Sequence, residues 1–556
     1  MLEDWQARCL EHLRAFPGAE LALIVHPREP LTQPSSRLTR RLLSKSKSGR
    51  RVDIASAVSG VPAILCDTVR SSEAHRRDRV AGQNGEAIRS HELAFVLDLG
   101  SGLRFDDELD VASDGIWAFD RSTADPRRRA LAWFWRVYRE VPVAEVTLLG
   151  LPARVLRQGF FRTDRRSFAR TADVLLSECA KWPGRACLDI REGNAGSGTV
   201  AAGPLVDPDP PAPNALHLLA FLAKILWSHL LAAWARFFRH PQWNIGVVRE
   251  PIHSFLVPLD PPRVEWSPFA SKRGFLSDPF GAVVDGKVTV LYEYFDYRKG
   301  RGTINSIDLR EWTERIDVEP VLDRGCHMSY PFVLEHEDEI YCIPETAAAR
   351  EVALYRAVEF PSRWEKVSTI LDGFAGVDTT VFRHGGSWWL TCTDNEDNPD
   401  TNLLVWHASR LEGPWVAHAA NPVKIDVRSA RPGGTPFVHR GELYRPAQDC
   451  SRAYGGRVVV NRVTRLTPQE FAEEPAATFE PSAASPFPDG RHTLSAVGDI
   501  TLVDGHRFVF VAAALRHFLR IWGRNLATGL GRKLRIASSP GARTPERAES
   551  NRGRID

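Results

Sequence analysis

The chain has 556 residues, and 72 Lys plus Arg stand against 69 Asp plus Glu for a net charge of +3. Hydrophobic residues make up 43% and charged residues 25%, a globular balance that excludes a disordered, collagen-like or wholly membrane-embedded chain. So even a charge balance leaves no electrostatic footprint for nucleic acid. The 8 Cys include no CxxC pair, which argues against a disulfide scaffold or zinc ribbon and for a reducing compartment. The opening MLEDWQARCLEHL has no apolar core of the signal-peptide kind. A cytoplasmic location is expected, peripheral at the inner face of the membrane.

In chain order, helical spacing at Trp5–Leu13 precedes strand-like runs at Leu21–Val25, Pro62–Leu65 and Phe95–Leu99. A helical run at Leu131–Val137 and a strand at Val143–Leu149 follow. This alternation predicts an α/β domain with a parallel sheet over residues 1–192. Gly100-Ser101-Gly102 after a strand is either a plain turn or a phosphate contact. Residues 193–214, rich in Gly, Pro and Ala, read as a linker. A long apolar helix is expected over 215–240, capped by Asn214, with His217, Lys224, Ser228, Arg236 and Arg239 on one face. Three readings stay open for it: a helix lying in a membrane interface, a helix packed between domains, and a membrane span.

From 241 to 514 the pattern changes to short strands and turns. Five segments share one plan of opener, strand, turn and second strand. They start at Asp278, Tyr330, Asp378, Thr435 and Asp499, at spacings of 52, 48, 57 and 64 residues. Their turns are Asp285-Gly286, Glu337-Asp338, Gly385-Gly386, Arg440-Gly441 and Asp504-Gly505. Repeats of this length predict a five-bladed β-propeller. The tail, 515–556, reads as basic and amphipathic and then disordered. Together with the 215–240 helix it could meet an anionic membrane surface.

In a propeller the openers converge at one mouth. Asp278, Asp378 and Glu345 are therefore the candidate catalytic carboxylates, as acid and base for chemistry at a sugar. His327, Tyr330, Arg431, Arg445, Asp449 and His492 are the candidate substrate-binding residues. Asp499 is expected to be structural. No cofactor is expected, and the spacing of His327, His492 and Asp449 supports no metal site. Cys326, Cys342, Cys392 and Cys450 are expected as small residues in or beside strands.

SDPF at Ser277, HMSYPFVLEHEDEIYCIPE from His327, GVDTTVF from Gly376 and ARPGGTPFVHRGELYRPAQD from Ala430 resemble the N-terminal domain of plant glucosamine inositolphosphorylceramide transferases and its bacterial relatives. The resemblance covers roughly residues 243–512. It implies a propeller similar to that of the arabinanase, levansucrase and invertase superfamily. By that pattern Asp278 is the base or nucleophile and Asp378 orients substrate or tunes its partner. The superfamily's acid, a Glu from a later blade, has no clean match here, and Glu345 is the nearest glutamate at a repeat end. In the plant enzymes glycosyl transfer is attributed to a separate C-terminal domain. A glycan or glycolipid substrate and a partner glycosyltransferase are implied.

FVLDLGSG from Phe95, DGIWAFD from Asp114 and LRQGFF from Leu156 are similar to the Rossmann-like formyltransferase fold. The family's Asn–His pair is missing from Ile116–Asp120. Three functions follow as expectations: a glycosyl-transfer-related enzyme, a non-catalytic glycan-binding scaffold, and a formyl- or acyl-transferase through the N-terminal domain.

Overall fold

The structure is a computed structural model. It describes residues 2–27, 46–54, 58–66, 68–69, 79–80, 82–100, 111–151, 154–193, 210–257, 262–269, 273–312, 319–516 and 519–520. Most of the expected linker, Ser101-Gly102 and nearly all of the tail beyond residue 516 lie outside the described residues.

The N-terminal region is α/β. A sheet runs in the order Arg154–Arg162, Val143–Leu151, Ile116–Phe119, Val96–Asp98. Its last two strands are parallel and its other pairings antiparallel. The expected all-parallel sheet is thus corrected to a mixed one. Leu151 and Arg154 are separated by two residues, a connection short enough only for an antiparallel return. A separate parallel pair joins Ile24–Pro27 to Ala63–Cys66. Helices Asp4–Arg14, Pro126–Tyr138, Phe168–Cys179 and Trp182–Arg191 cover the mixed sheet through an apolar core containing Trp5, Trp117, Phe161 and Trp182. Asp125 caps the second of these through its carboxylate, with proline at the first turn.

After Phe238 the described residues are dominated by five antiparallel sheets of four to five strands. The first runs from Gly274–Val284 to Pro320–Leu322, the second from Ser329–His336 to Arg363–Asp372 and the third from Gly376–His384 to Val416–Ala417. The fourth runs from Phe437–His439 to Phe471–Phe479. The fifth joins both ends of the region, pairing His240–Val248 with Ile500–Val509 and Ile500–Val509 with Leu494–Val497. The first strands of sheets one, two and three touch in succession, and sheet one also meets sheet five. Gly434 bridges Leu494 and so joins sheet four to sheet five.

The hairpin turns follow from sequence chemistry. Asp285-Gly286, Glu337-Asp338, Gly385-Gly386 and Arg440-Gly441 all have positive φ at both residues. That is the twist-matched turn of two-residue hairpins. The fifth repeat is framed differently from expectation. Its inner hairpin turns at Gly498-Asp499, and Asp504-Gly505 lies within the strand Ile500–Val509. Asp499 is consequently an exposed turn residue and Asp504 an inward-facing one.

The two domains are directly bonded. Val427 N–H donates to the Phe160 carbonyl at 3.0 Å. Lys181 Nζ lies 2.7 Å from Asp397 Oδ2, and Asn402 donates to buried Glu178 at 3.2 Å. Ile425 of the all-β region completes the core of the N-terminal domain. The Ala215–Phe238 helix lies between the domains in sequence. Its Asn214 cap accepts from His217 N–H, and Phe221 packs into the core beside Trp133 and Phe134.

Candidate functional site

Three consecutive inner strands carry the same irregularity. Register breaks at Ser277/Phe280, Ser329/Phe332 and Val377/Thr380. Inside each bulge one non-glycine residue is left-handed: Asp278 at φ 51°, Tyr330 at 42° and Asp378 at 50°. Bulges re-aim side chains, and strained backbone of this kind collects at functional sites. Sheet four departs from this pattern: its opener Thr435 is not left-handed, and the preceding Gly434 takes φ 136° instead. A Cβ there would stand 1.8 Å from the Leu494 carbonyl oxygen, so only glycine fits.

Asp278 and Asp378 are buried, at 5% and 3% exposure. Around Asp278, Thr493 Oγ1 donates at 3.0 Å, and the Asp278 N–H donates to Asp504 Oδ2 at 3.2 Å. His492 Nδ1 stands 2.5 Å from Asp504 Oδ2 and 3.7 Å from Asp278 Oδ1. Asp504 also accepts the backbone N–H groups of His492 and Thr493. The indole of Trp243 stacks on His492 at 3.9 Å. Around Asp378, Arg431 Nε and Gln448 Nε2 each approach Oδ2 at 2.6 Å. Asp378 N–H donates to Glu345 Oε2 at 3.3 Å, so the second repeat's closing glutamate is bound to the third repeat's aspartate. Arg431 reaches on to Asp400 at 3.3 Å and lies over the half-exposed ring of Tyr454.

These contacts separate the proton affinities. Burial, reinforced by Asp378, lifts Glu345 to about 8 against a lowering by Arg431. Burial lifts Asp278 to about 6, with Asp504 and Asp378 adding to it and the His492 cation opposing it. Burial alone would depress His492, but Asp504 and Asp278 carry it up to about 9. Burial would raise Asp504, yet His492 holds it below the usual carboxylate range. At neutral pH, therefore, Glu345 keeps its proton, Asp278 is mostly ionised, and His492 and Asp504 form an ion pair.

Asp278, His492 and Asp504 offer ligand atoms within 4.8 Å of one another, a grouping able to enclose a cation. The geometry fits an ion pair better. A metal-binding histidine must present a neutral nitrogen, and Nδ1 is engaged by Asp504.

The remaining candidates are placed as follows. His327 sits at the edge, its Nδ1 accepting from Gly302 N–H at 2.8 Å and its Nε2 lying 3.9 Å from Glu293. Tyr330 is fully buried and pins sheets two, three and four, its hydroxyl meeting Thr380 at 3.0 Å and accepting from Gly434 N–H at 2.8 Å. Arg445 is away from the cluster. It lies within sheet four, bonded to Glu473 at 2.6 Å and to the carbonyls of Ser429 and Ala430. Asp449 is also away, held by Ser451 N–H and Arg457 at 2.8 Å each. Cys342, Cys392 and Cys450 are buried free thiols and Cys326 is half-buried.

Asp504, Trp243, Thr493, Gln448, Tyr454 and Glu293 surround this candidate cluster without having been singled out. Glu293 is buried, accepts from Ser277 at 2.6 Å, and is raised well above the carboxylate range by burial. A charged residue between Tyr292 and Tyr294 in an apolar strand was a usable signal for it. A cavity of about 900 Å³ lies in the N-terminal domain, away from this cluster, between Leu10, Phe95, Asp98, Trp117 and Arg191.

Among solved structures, a family 117 glycoside hydrolase produced by Zobellia galactanivorans is 15% identical, covering 48% of this chain and 91% of that one at a TM-score of 0.32. An exo-β-1,3-galactanase from Clostridium thermocellum is 11% identical, covering 41% and 58% at 0.31. Among curated proteins, glucosamine inositolphosphorylceramide transferase 1 of Oryza sativa subsp. japonica is 34% identical over 209 residues, 36% of this chain and 28% of its own length. The Arabidopsis thaliana protein of that name is 35% identical over 210 residues, 36% of this chain and 27% of its own. The match thus spans little more than a quarter of these relatives. The carboxylates Asp278, Glu345 and Asp378 with Arg431 and Tyr454 all fall in residues 264–484, the segment that matches the family described as "Glucosamine inositolphosphorylceramide transferase 1, N-terminal".

Proposed function

We propose that the all-β domain is a five-bladed propeller whose acidic centre handles the sugar head of a glycan or glycolipid, in glycosyl transfer rather than hydrolysis. One observation carries this reading. Three acidic residues are gathered in one buried cluster: Asp378 is held by Arg431 and Gln448 at 2.6 Å each, its N–H donates to Glu345 at 3.3 Å, and Asp278 takes Thr493 at 3.0 Å beside His492, with burial raising both Glu345 and Asp278. In this reading Glu345 donates its proton to the leaving oxygen as the glycosidic bond breaks. Asp278 takes the proton of the acceptor hydroxyl as the new bond forms. Asp378, clamped by Arg431 and Gln448, orients a sugar hydroxyl, and Tyr454 offers an aromatic face. The names of the rice and Arabidopsis relatives support a glycolipid and a transfer reaction.

A binding-only scaffold serving a separate glycosyltransferase is the second reading. It is favoured by how little of Asp278 and Asp378 is exposed. Formyl or acyl transfer by the N-terminal domain is the weaker third. The 900 Å³ cavity supports a ligand there, but the Asp120 carboxylate is spent on Thr123 and Thr147. The deciding experiment incubates the purified chain with nucleotide sugars and inositolphosphorylceramide and follows product by mass spectrometry. Glu345→Gln should lower the rate roughly 10²–10⁴-fold with ligand binding retained. Full activity in Glu345→Gln and Asp278→Asn would refute catalysis. Ligand binding without product would favour the scaffold.

A further inference from the structure

The polar and apolar sides of the Ala215–Phe238 helix are used in the opposite sense to an electrostatic membrane anchor. His217 packs edge-on against Trp135 and Tyr138. Lys224 Nζ donates to the Tyr138 carbonyl and to Glu140 at 2.9 Å. Phe221 is buried, and Leu218 and Ile225 line the same core. Of the polar residues expected to face lipid headgroups, His217 and Lys224 are thus turned toward protein, whereas Arg236 and Arg239 at the C-terminal end stay exposed. The other side is bare: Leu216 is 75% exposed and Trp227 62%, and Leu219, Leu222, Leu226, Leu230, Leu231, Trp234, Phe237 and Phe238 are also exposed. At ~100° per residue these positions fill about half the circumference, far wider than a coiled-coil seam, and none is charged or polar. The patch continues past the helix, where Phe238 meets exposed Phe510.

We infer that this helix seats the protein on a phospholipid bilayer by inserting its apolar side into one leaflet, without crossing it. The helix is the one segment among the described residues long and apolar enough to span. A span would set the α/β domain and the all-β domain on opposite sides of a hydrocarbon layer ~30 Å thick. Those domains share hydrogen bonds at Val427–Phe160, Lys181–Asp397 and Asn402–Glu178, so both lie on one side. In-plane insertion hides the apolar arc and leaves the bonded side in water. The strand that follows carries Trp243 of the acidic cluster, five residues past the end of the helix. The inference goes beyond the catalytic reading and stands without it, because its test reads partitioning alone.

The test is flotation of the full chain with vesicles of pure phosphatidylcholine and of phosphatidylcholine with phosphatidylglycerol, at low and high salt. Binding to pure phosphatidylcholine vesicles should persist at high salt, since an apolar contact is not screened, while the basic tail adds only a salt-sensitive increment on the anionic vesicles. Leu226→Glu with Trp227→Glu and Trp234→Glu, all at exposed positions, should lose binding about tenfold or more while keeping the wild-type melting temperature. Protease added outside the vesicles should cleave both domains. Three results would overturn the inference: binding confined to anionic vesicles and abolished by salt, protection of one domain from protease, or a stable dimer that the triple variant converts to monomer with vesicle binding absent throughout.

Discussion

His492 and Asp504 form the tightest charged contact at the centre of the all-β domain, Nδ1 to Oδ2 at 2.5 Å, with neither side chain open to solvent. Its consequence is a pH-dependent stability. His492 is raised from 6.5 to about 9 by the balance of burial against Asp504 and Asp278. Its contribution is therefore complete below about pH 6.5 and lost as pH rises to about 9, on the order of 3 kcal/mol. Glu345 acts in the same sense, since the fold favours its protonated form between about 4.5 and 8. Urea midpoints should fall from pH 6.5 to 9, and His492→Gln should flatten that fall.

Turnover should be bell-shaped. Asp278 must be ionised, which requires pH above about 6, and Glu345 must hold its proton, which requires pH below about 8. Glycolipid formation measured across this range should show both limbs. Arg431→Met should shift the alkaline limb upward, because Arg431 is the cation that lowers Glu345.

Arg445 and Glu473, each about 1% exposed and 2.6 Å apart, are joined by Lys424 at 2.7 Å. Removing Arg445 leaves buried Glu473 with Lys424 as its remaining cation, so Arg445→Met should destabilise the fold by less than the about 3–5 kcal/mol of a wholly unpaired buried charge. Ligand affinity measured below the new melting temperature should stay within about twofold, since sheet four and not the cluster uses this residue. A loss of affinity without loss of stability would return Arg445 to the binding site.

Gly434→Ala should cost roughly 1–3 kcal/mol from its backbone conformation alone, with a further cost from the Leu494 carbonyl. Thermal unfolding followed by circular dichroism checks it. Gly441→Ala, where nothing stands within 4 Å of the new Cβ, should cost only the backbone part.

The repeat pattern made the four Asp/Gly/Arg hairpin turns and the inward openers legible, because strand period and turn chemistry are local. The fifth repeat misled. Asp504-Gly505 has the composition of a turn, and only pairing with His240–Val248, far away in sequence, makes it strand. The link from Glu345 to Asp378 crosses between sheets and has no local signature, nor has the stacking of Trp243 on His492. Arg445 and Asp449 looked alike in sequence to Arg431 and Asp378. What separates them is long-range placement: Arg431 comes from the bend before the fourth sheet and reaches Asp378, whereas Arg445 and Asp449 are held by partners of their own region, Glu473 and Arg457. In the N-terminal domain the apolar runs were found where expected, but strand direction followed from a two-residue connection.

The most direct measurement is the proton occupancy of Glu345 and Asp278 together with ligand binding. Difference infrared spectra of wild type, Glu345→Gln and Asp278→Asn across pH 6 to 8, with and without an inositolphosphorylceramide glycolipid, would resolve each carboxyl. The account expects a protonated band at neutral pH that vanishes in Glu345→Gln and is perturbed when the glycolipid binds. A band absent at neutral pH, or one indifferent to glycolipid in a protein that binds it, would contradict an acidic centre built to act on a sugar.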